Sequence, residues 1–458
     1  MLKTKKQNIF LICTLTALAG LLFGMDTGII SGAVPFLTEE FQLDNIQIGW
    51  IVSALMCGGT IGSISAGWLS WYIGRKPALI ISAILFFSGS LICALAYNVE
   101  MLIIGRIILG LAVGIASFTT PLYLAEVAPE NIRGRMISFY QLLITVGFLS
   151  AYIIDTILSY YSAWRWMLGI VAIPSIIFLF GLAFLPRSPR WLIANNRLTE
   201  AENILKNIRS DNDTYKKEIE NIQESLKIKQ NGWSLLKNNK NFRRSVFLGA
   251  LLQIMQQLTG INIILYYAPK IMEMAGFVST THQMWATVTI GLVNVLFTFL
   301  AIGVIDLWGR RPTLIAGFTI MSLGMALLSL ILTLDSNEAF LQYLAVLFIL
   351  IFIAGFAMSA GPLVWTLCSE IQPLKGRDFG ITISTTANWV TNMIISGAFP
   401  AFVAWAGTTQ TFFIFAGLNA IFILITLWLV PETKNIWLEE IEKNLMRGEK
   451  LRNIGRKI

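Results

Sequence analysis

Apolar residues run along this chain in stretches of about twenty, and charge is confined to the short breaks between them. A helix rising about 1.5 Å per residue needs roughly that many residues to cross a hydrocarbon layer of about 30 Å. The pattern predicts twelve such helices, near 9–32, 46–69, 77–97, 100–123, 137–159, 163–185, 245–269, 284–305, 311–334, 341–367, 378–403 and 409–430. The strands of a membrane barrel would alternate over about ten residues, whereas these runs are apolar nearly all round. A soluble protein behind an apolar leader fits no better. The hydrophobicity recurs along the whole chain, and no small-residue cleavage site follows the first stretch. The expectation is an all-α membrane protein whose helices satisfy their own backbone.

Composition agrees: of 458 residues only 13% are charged, against about a quarter in soluble domains. The charge that remains is sorted by side. Lys3, Lys5 and Lys6 precede the first span, and Arg75, Lys76, Arg133, Arg135, Arg310, Arg311, Lys375 and Arg377 fall in alternate later loops on that side. Glu39, Glu40, Asp44, Glu100, Asp335 and Glu338 lie in the loops opposite. The positive-inside rule then puts both termini and the long middle loop in the cytoplasm. On this reading the net charge of +8 describes membrane topology, and no spaced motif points to nucleic acid. Cys13, Cys57, Cys93 and Cys368 fall in or near apolar helices and read as free, buried thiols. With a single histidine, His282, and no paired cysteine motif, the chain has almost no ligands for a metal. No cofactor or prosthetic group is expected.

The punctuation repeats. Gly74-Arg75-Lys76 after span two matches Gly309-Arg310-Arg311 after span eight, and Glu126 precedes Arg133 as Glu370 precedes Arg377. Two parallel six-helix repeats follow, each with its own cluster of ion pairs at helix ends. The expected divisions are an N-terminal six-helix domain over 1–185, a linker with short helices over 186–244, a second six-helix domain over 245–430 and a tail over 431–458. A helix cap near Thr199 and a bracket at Pro431-Glu432-Thr433-Lys434 are expected in the polar parts. The arginines, by bonding carboxylates between helix ends, would hold one face shut while the other opens; the plainer reading is loop charge that only orients the chain.

Asp26 interrupts the first apolar span, and a carboxylate there needs water, a cation or a proton. Arg106 in the fourth span is the candidate partner, either in a pair that switches with protonation or in a permanent salt bridge. Gln256-Gln257-Leu258-Thr259-Gly260-Ile261-Asn262, followed by Tyr266-Tyr267, concentrates carboxamides in span seven. Gln141, Asn294, Trp365, Asn388, Trp389 and Asn392 add to them. Carboxamides both donate and accept, which suits the hydroxyl groups of a neutral solute such as a sugar, and a tryptophan face suits the C–H side of a ring. The same residues could equally bond helix to helix. Gly260 and Gly361-Pro362 are candidate breaks in spans seven and ten, and Gly58-Gly59 with Gly110 and Gly114 read as close-packing positions.

The ordered set FGMDTGIISGAVPF, PLYLAEVAPENIRGR, PRSPRWL, QQLTGINIILYYAP, GPLVWTLCSEIQPLKGRDFG and PETK resembles the sugar-porter branch of the major facilitator superfamily over essentially the whole chain. The resemblance implies two six-helix domains that alternate access to a cavity between them. It implies proton-coupled uptake of a neutral monosaccharide, a hexose such as D-galactose or D-glucose, across a bacterial inner membrane. The alternatives are a proton-independent uniporter and a membrane sugar sensor without flux; no paired catalytic carboxylates suggest an enzyme. Sugar, proton and membrane lipid are the implied partners, with a monomer sufficient. The resemblance puts Gln141, Gln256, Gln257, Asn262, Asn294, Trp365 and Asn388 around the cavity, with Tyr267 and Trp389 as contacts or gates. Asp26 and Arg106 take proton coupling. Arg75, Glu126, Arg133, Asp306, Arg310, Arg311, Glu370 and Arg377 take the cytoplasmic gate. Ser70 and Trp71 stand where the broader superfamily signature has an acidic residue; Asp306 keeps it in the second repeat.

Overall fold

A computed structural model describes residues 9–209, 212–226, 232–334 and 338–456; Lys3, Lys5, Lys6 and Asp335 lie outside them. Among the described residues, twelve helices are long and apolar enough to cross a membrane. In chain order they are Ile9–Phe41, Asn45–Tyr72, Arg75–Ala94, Val99–Val127, Ile132–Ser159, Trp164–Ala183, Lys240–Tyr266, Thr280–Ala301, Arg310–Ile331, Ala339–Glu370, Leu374–Ala406 and Thr408–Leu429, hereafter spans 1 to 12. No strand occurs among the described residues. Most ends fall within a few residues of the expected ones. Span 1 is the exception, running on to Phe41. Its polar last turn is tied down at Glu40, which accepts from Arg165 at 2.8 Å and from the Trp164 indole.

Pairing within the halves is the same. Spans 1 and 5, 2 and 4, 3 and 4, and 3 and 6 pack together in the first half, and spans 7 and 11, 8 and 10, 9 and 10, and 9 and 12 in the second. With no hydrophobic drive between helices in lipid, close backbone approach supplies the contact. At the crossing of spans 2 and 4, a Cβ on Gly58 would overlap the Ile107 carbonyl and one on Gly110 the Leu55 carbonyl. The halves meet through spans 2 and 11 and through spans 5 and 8. Gly49 lies against the Gly397 backbone, and the Trp285 indole donates to the Tyr160 hydroxyl at 3.3 Å. Span 2 starts, span 5 ends, span 8 starts and span 11 ends on the side away from the chain termini. The seam between halves therefore closes at that far end.

Spans 7 and 10 are broken. Span 7 stops at Leu258 and restarts as Ile261–Tyr266 through Gly260, whose φ of 92° is a left-handed conformation that suits glycine. Span 10 breaks at Ser359, just ahead of the expected Gly361-Pro362. The proline ring clashes with the carbonyl four residues back, so the helix ends upstream and Pro362 sits in the first turn of the next piece, where no amide donor is needed.

The linker splits between halves. Arg209 bonds Glu218 and donates at 2.8 Å to the Val127 carbonyl, pinning the early linker to the first half. Helix Gly232–Asn238 packs on spans 7 and 11, with Trp233 edge-on to Phe379. The helix expected near Thr199 spans Leu198–Ile208 and lacks a side-chain cap, so Thr199 is inside its first turn. In the tail, the Glu432 carboxylate accepts from the backbone N–H groups of Arg310, Arg311 and Lys434, and so caps the start of span 9 as the expected bracket.

Candidate functional site

The break in span 7 turns its carboxamides toward spans 10 and 11. Gln256 Nε2 donates to the carbonyls of Ala360 and Gly361, at 2.7 and 3.2 Å, in the restart of span 10. Its Oε1 accepts from Asn388 Nδ2 at 2.9 Å, and Asn388 also donates to Gln253 Oε1 at 2.6 Å. On the other side, Gln257 Nε2 reaches Gln256 Oε1 at 3.5 Å and Gln257 Oε1 accepts from Asn262. Five carboxamides thus form one chain across the break. Asn392, one turn on from Asn388, makes a separate set of bonds, donating at 3.1 Å to the Tyr266 hydroxyl and accepting from Ser396 at 2.8 Å. Both amide protons of Asn388 are spent, yet its carbonyl oxygen and a second N–H on Asn262 keep capacity for a polar partner.

The structure gathers Gln256, Gln257, Asn262 and Asn388 in this chain. Trp389, 5% exposed, packs against Gly59 and stacks on Phe23 with ring centroids 5.9 Å apart, so it joins the second half to the first at mid-membrane. Tyr267 is fully engaged, donating to the Ser396 carbonyl at 2.7 Å. Asn294 is buried in span 8, Gln141 half-buried in span 5 and Trp365 exposed in span 10; none of the three is drawn into the carboxamide chain. Gln253 was not anticipated. It lies one helical turn before Gln256 on the same face, and that spacing is the signal that could have found it.

Asp26 and Arg106 face one another in the first half, with side chains 1% and 0% exposed. The contact is loose: Arg106 reaches Asp26 Oδ1 at 3.5 Å and the Asp26 carbonyl at 3.2 Å. Asp26 Oδ2 and two nitrogens of Arg106 are buried without partners. An ion pair in this setting recovers only part of its desolvation cost, so a proton on Asp26 competes with the arginine. A second buried carboxylate, Asp155 in span 5, was also missed; the Gly32 N–H donates to it at 3.2 Å.

At the termini end the repeats build the same triad. Arg75 reaches Glu126 Oε1 at 2.8 Å, and the Ser188 hydroxyl donates to the other oxygen. Arg310 reaches Glu370 Oε1 at 3.2 Å, and the Thr433 hydroxyl donates to the other oxygen. Ser188 and Thr433 each stand two residues after a proline, in PRS and PET, a third element of the repeat that the charge pattern alone did not reveal. Arg311 bonds the Leu427 carbonyl and Arg377 the Gln372 carbonyl, while Arg133 Nε is buried without a partner. Glu126 therefore pairs with Arg75 and not with the Arg133 that follows it. The Asp306 backbone is helical, and its side chain lies outside the described residues.

Twelve spans in two equivalent halves, broken helices with a polar chain at mid-membrane, and a seam closed at one end define a secondary transporter of the major facilitator fold. The family model described as "Sugar (and other) transporter" matches residues 12–445, and the chain belongs to that family. It is 56% identical over 453 residues to the galactose-proton symporter of Escherichia coli strain K12, covering 99% of this chain and 98% of that one. It is 51% identical to the arabinose-proton symporter of the same strain, covering 99% and 96%. Among solved structures, the inward open conformation of the xylose transporter XylE from E. coli matches with a TM-score of 0.83 at 32% identity, covering 95% of this chain and 99% of that one. The chain is thus a multi-pass transporter and not an enzyme.

Proposed function

We propose that this protein is a proton-coupled symporter of a neutral monosaccharide, a hexose such as D-galactose, and that it carries the sugar inward by alternating access. The observation that carries the reading is the buried Asp26–Arg106 pair in a chain 56% identical to a galactose-proton symporter along its whole length. Protonation from outside removes the charge on Asp26 and weakens its hold on Arg106. The sugar docks on Gln256, Gln257, Asn262 and Asn388, with Gln141, Asn294, Trp365 and Trp389 completing the cavity and Tyr267 acting as a gate. The termini and linker face the cytoplasm, as the loop charges require. The closed far end is then the outer gate. The arginine–carboxylate triads form the inner one, each fixing the helix ends of its own half, with Arg133, Asp306, Arg311 and Arg377 beside them. Domains 1–185 and 245–430 move against each other, joined by 186–244, and a monomer suffices.

A neutral sugar gains leverage from the membrane potential only through the proton. About 100 mV contributes about 2.3 kcal/mol per charge carried across, or roughly 50-fold accumulation. The test is uptake of labelled D-galactose into sealed liposomes, with internal pH followed, for wild type and Asp26→Asn. Sugar-dependent proton entry and accumulation against a gradient, both lost in Asp26→Asn while sugar exchange survives, support the reading. Uptake that equilibrates and ignores both gradient and mutation replaces it with a uniporter. Binding without flux replaces it with a sensor.

A further inference from the structure

The tail folds back against the second half and leaves a cleft there, beside the inner gate and away from the carboxamide chain. After helix Leu438–Met446 the chain turns at Gly448, whose carbonyl and that of Glu449 accept from Arg244 of span 7. Asn444 then holds the last turn by donating to the carbonyls of Ile454 and Arg456. With Ile454 fully buried as well, the tail is pinned and the cleft is preformed. Arg244, Lys450, Arg452 and Arg456 line it together with Trp428 and Leu429, around about 690 Å³. A groove of about 470 Å³ continues from it through Arg452 to Arg311, Ile315 and Leu427.

The level of this cleft in the membrane follows from the chain. Leu427, Trp428 and Leu429 end span 12, and Arg311 is in the first turn of span 9, so the cleft sits where hydrocarbon gives way to headgroups. Trp428 is 70% exposed there, as tryptophans at membrane interfaces are. The charge is one-sided. Lys450, Arg452 and Arg456 are exposed, and none of the ion pairs among the described residues involves them. Glu432, the acid that faces Arg311, has its oxygens on three backbone N–H groups. A cationic pocket backed by an apolar groove matches a phosphate attached to acyl chains. A zwitterionic headgroup would bring a further cation into it, and a free anion would leave the apolar wall unused.

We propose that this cleft binds an anionic phospholipid of the leaflet at the termini end, its phosphate on Lys450, Arg452 and Arg456 and an acyl chain along Leu427 and Ile315. The test is native mass spectrometry of the full chain released from vesicles of equal phosphatidylethanolamine and phosphatidylglycerol. Wild type is compared with the triple variant Lys450→Ala/Arg452→Ala/Arg456→Ala and with a control, Arg190→Ala/Lys216→Ala/Lys217→Ala, that removes the same charge from the linker. The wild type and the control retain phosphatidylglycerol, the site triple retains about tenfold less or lower still, and inorganic phosphate does not displace the lipid. Arg452→Glu alone repeats the loss should the triple fold poorly. Equal retention by both triples, equal retention of the two lipids by wild type, or displacement by inorganic phosphate each overturns the proposal.

Discussion

Single side chains at mid-membrane carry unequal weight because some have spent their hydrogen-bonding capacity and others have not. Gln256 holds the restart of span 10 with its amide and Asn388 with its carbonyl. Gln256→Ala removes the side-chain bonds to two span 10 carbonyls and leaves one Asn388 N–H without its acceptor, at about 1–3 kcal/mol, and equilibrium sugar binding should weaken by about ten- to a hundredfold. The helix-end triads give a graded comparison. Glu126 and Arg75 are 3% and 7% exposed, whereas Glu370 and Arg310 are each 17% exposed. Stranding a buried charge costs about 3–5 kcal/mol, and less as water reaches it. Thermal unfolding in detergent should therefore show a larger fall for Glu126→Gln than for Glu370→Gln, and the reverse order would mean that burial does not set the worth of these pairs.

Among helices, contact depends on where a side chain is missing. Gly110→Val would drive two methyl groups into the backbone of span 2 at the Leu55 carbonyl, an overpacking that costs about 1–3 kcal/mol. Gly134→Val meets nothing within 4 Å and is the matched control. A lowered melting temperature and lower folded yield for the first alone would bear this out. The twelve spans were legible because a long apolar run has one stable form in lipid, and the repeat was legible because charge at helix ends is sparse enough for its spacing to stand out. The break in span 10 was misplaced, since a proline shows that a helix will end but its clash acts four residues upstream. The true partner of Glu126 was hidden for a related reason. Arg133 is seven residues away along the chain, but Arg75 is the neighbour once spans 3 and 4 pack, and adjacency across helices leaves no trace in local spacing. Within span 7 itself, Asn262 and Gln257 were readable together, whereas their link to Asn388 depends on the fold.

For the molecule as a whole, what matters is how the two halves touch. Gly49 against Gly397 sets the far end closed, and Gly49→Trp should keep it open. Sugar binding from that side should then survive while net uptake is lost; uptake at the wild-type rate would show that the contact is dispensable. None of the ion pairs among the described residues joins one half to the other. Each half is stiffened internally by charge, and the two meet through small residues, aromatic rings and a few neutral hydrogen bonds. Dissolved salt screens exposed charges beyond about 10 Å at 0.1 M but leaves van der Waals contact untouched. The far-end seam, held by Gly49 against Gly397 and by the neutral Trp285–Tyr160 bond, should therefore hold equally well in dilute water and in brine, which leaves the charged gate at the termini end as the salt-sensitive part of the cycle.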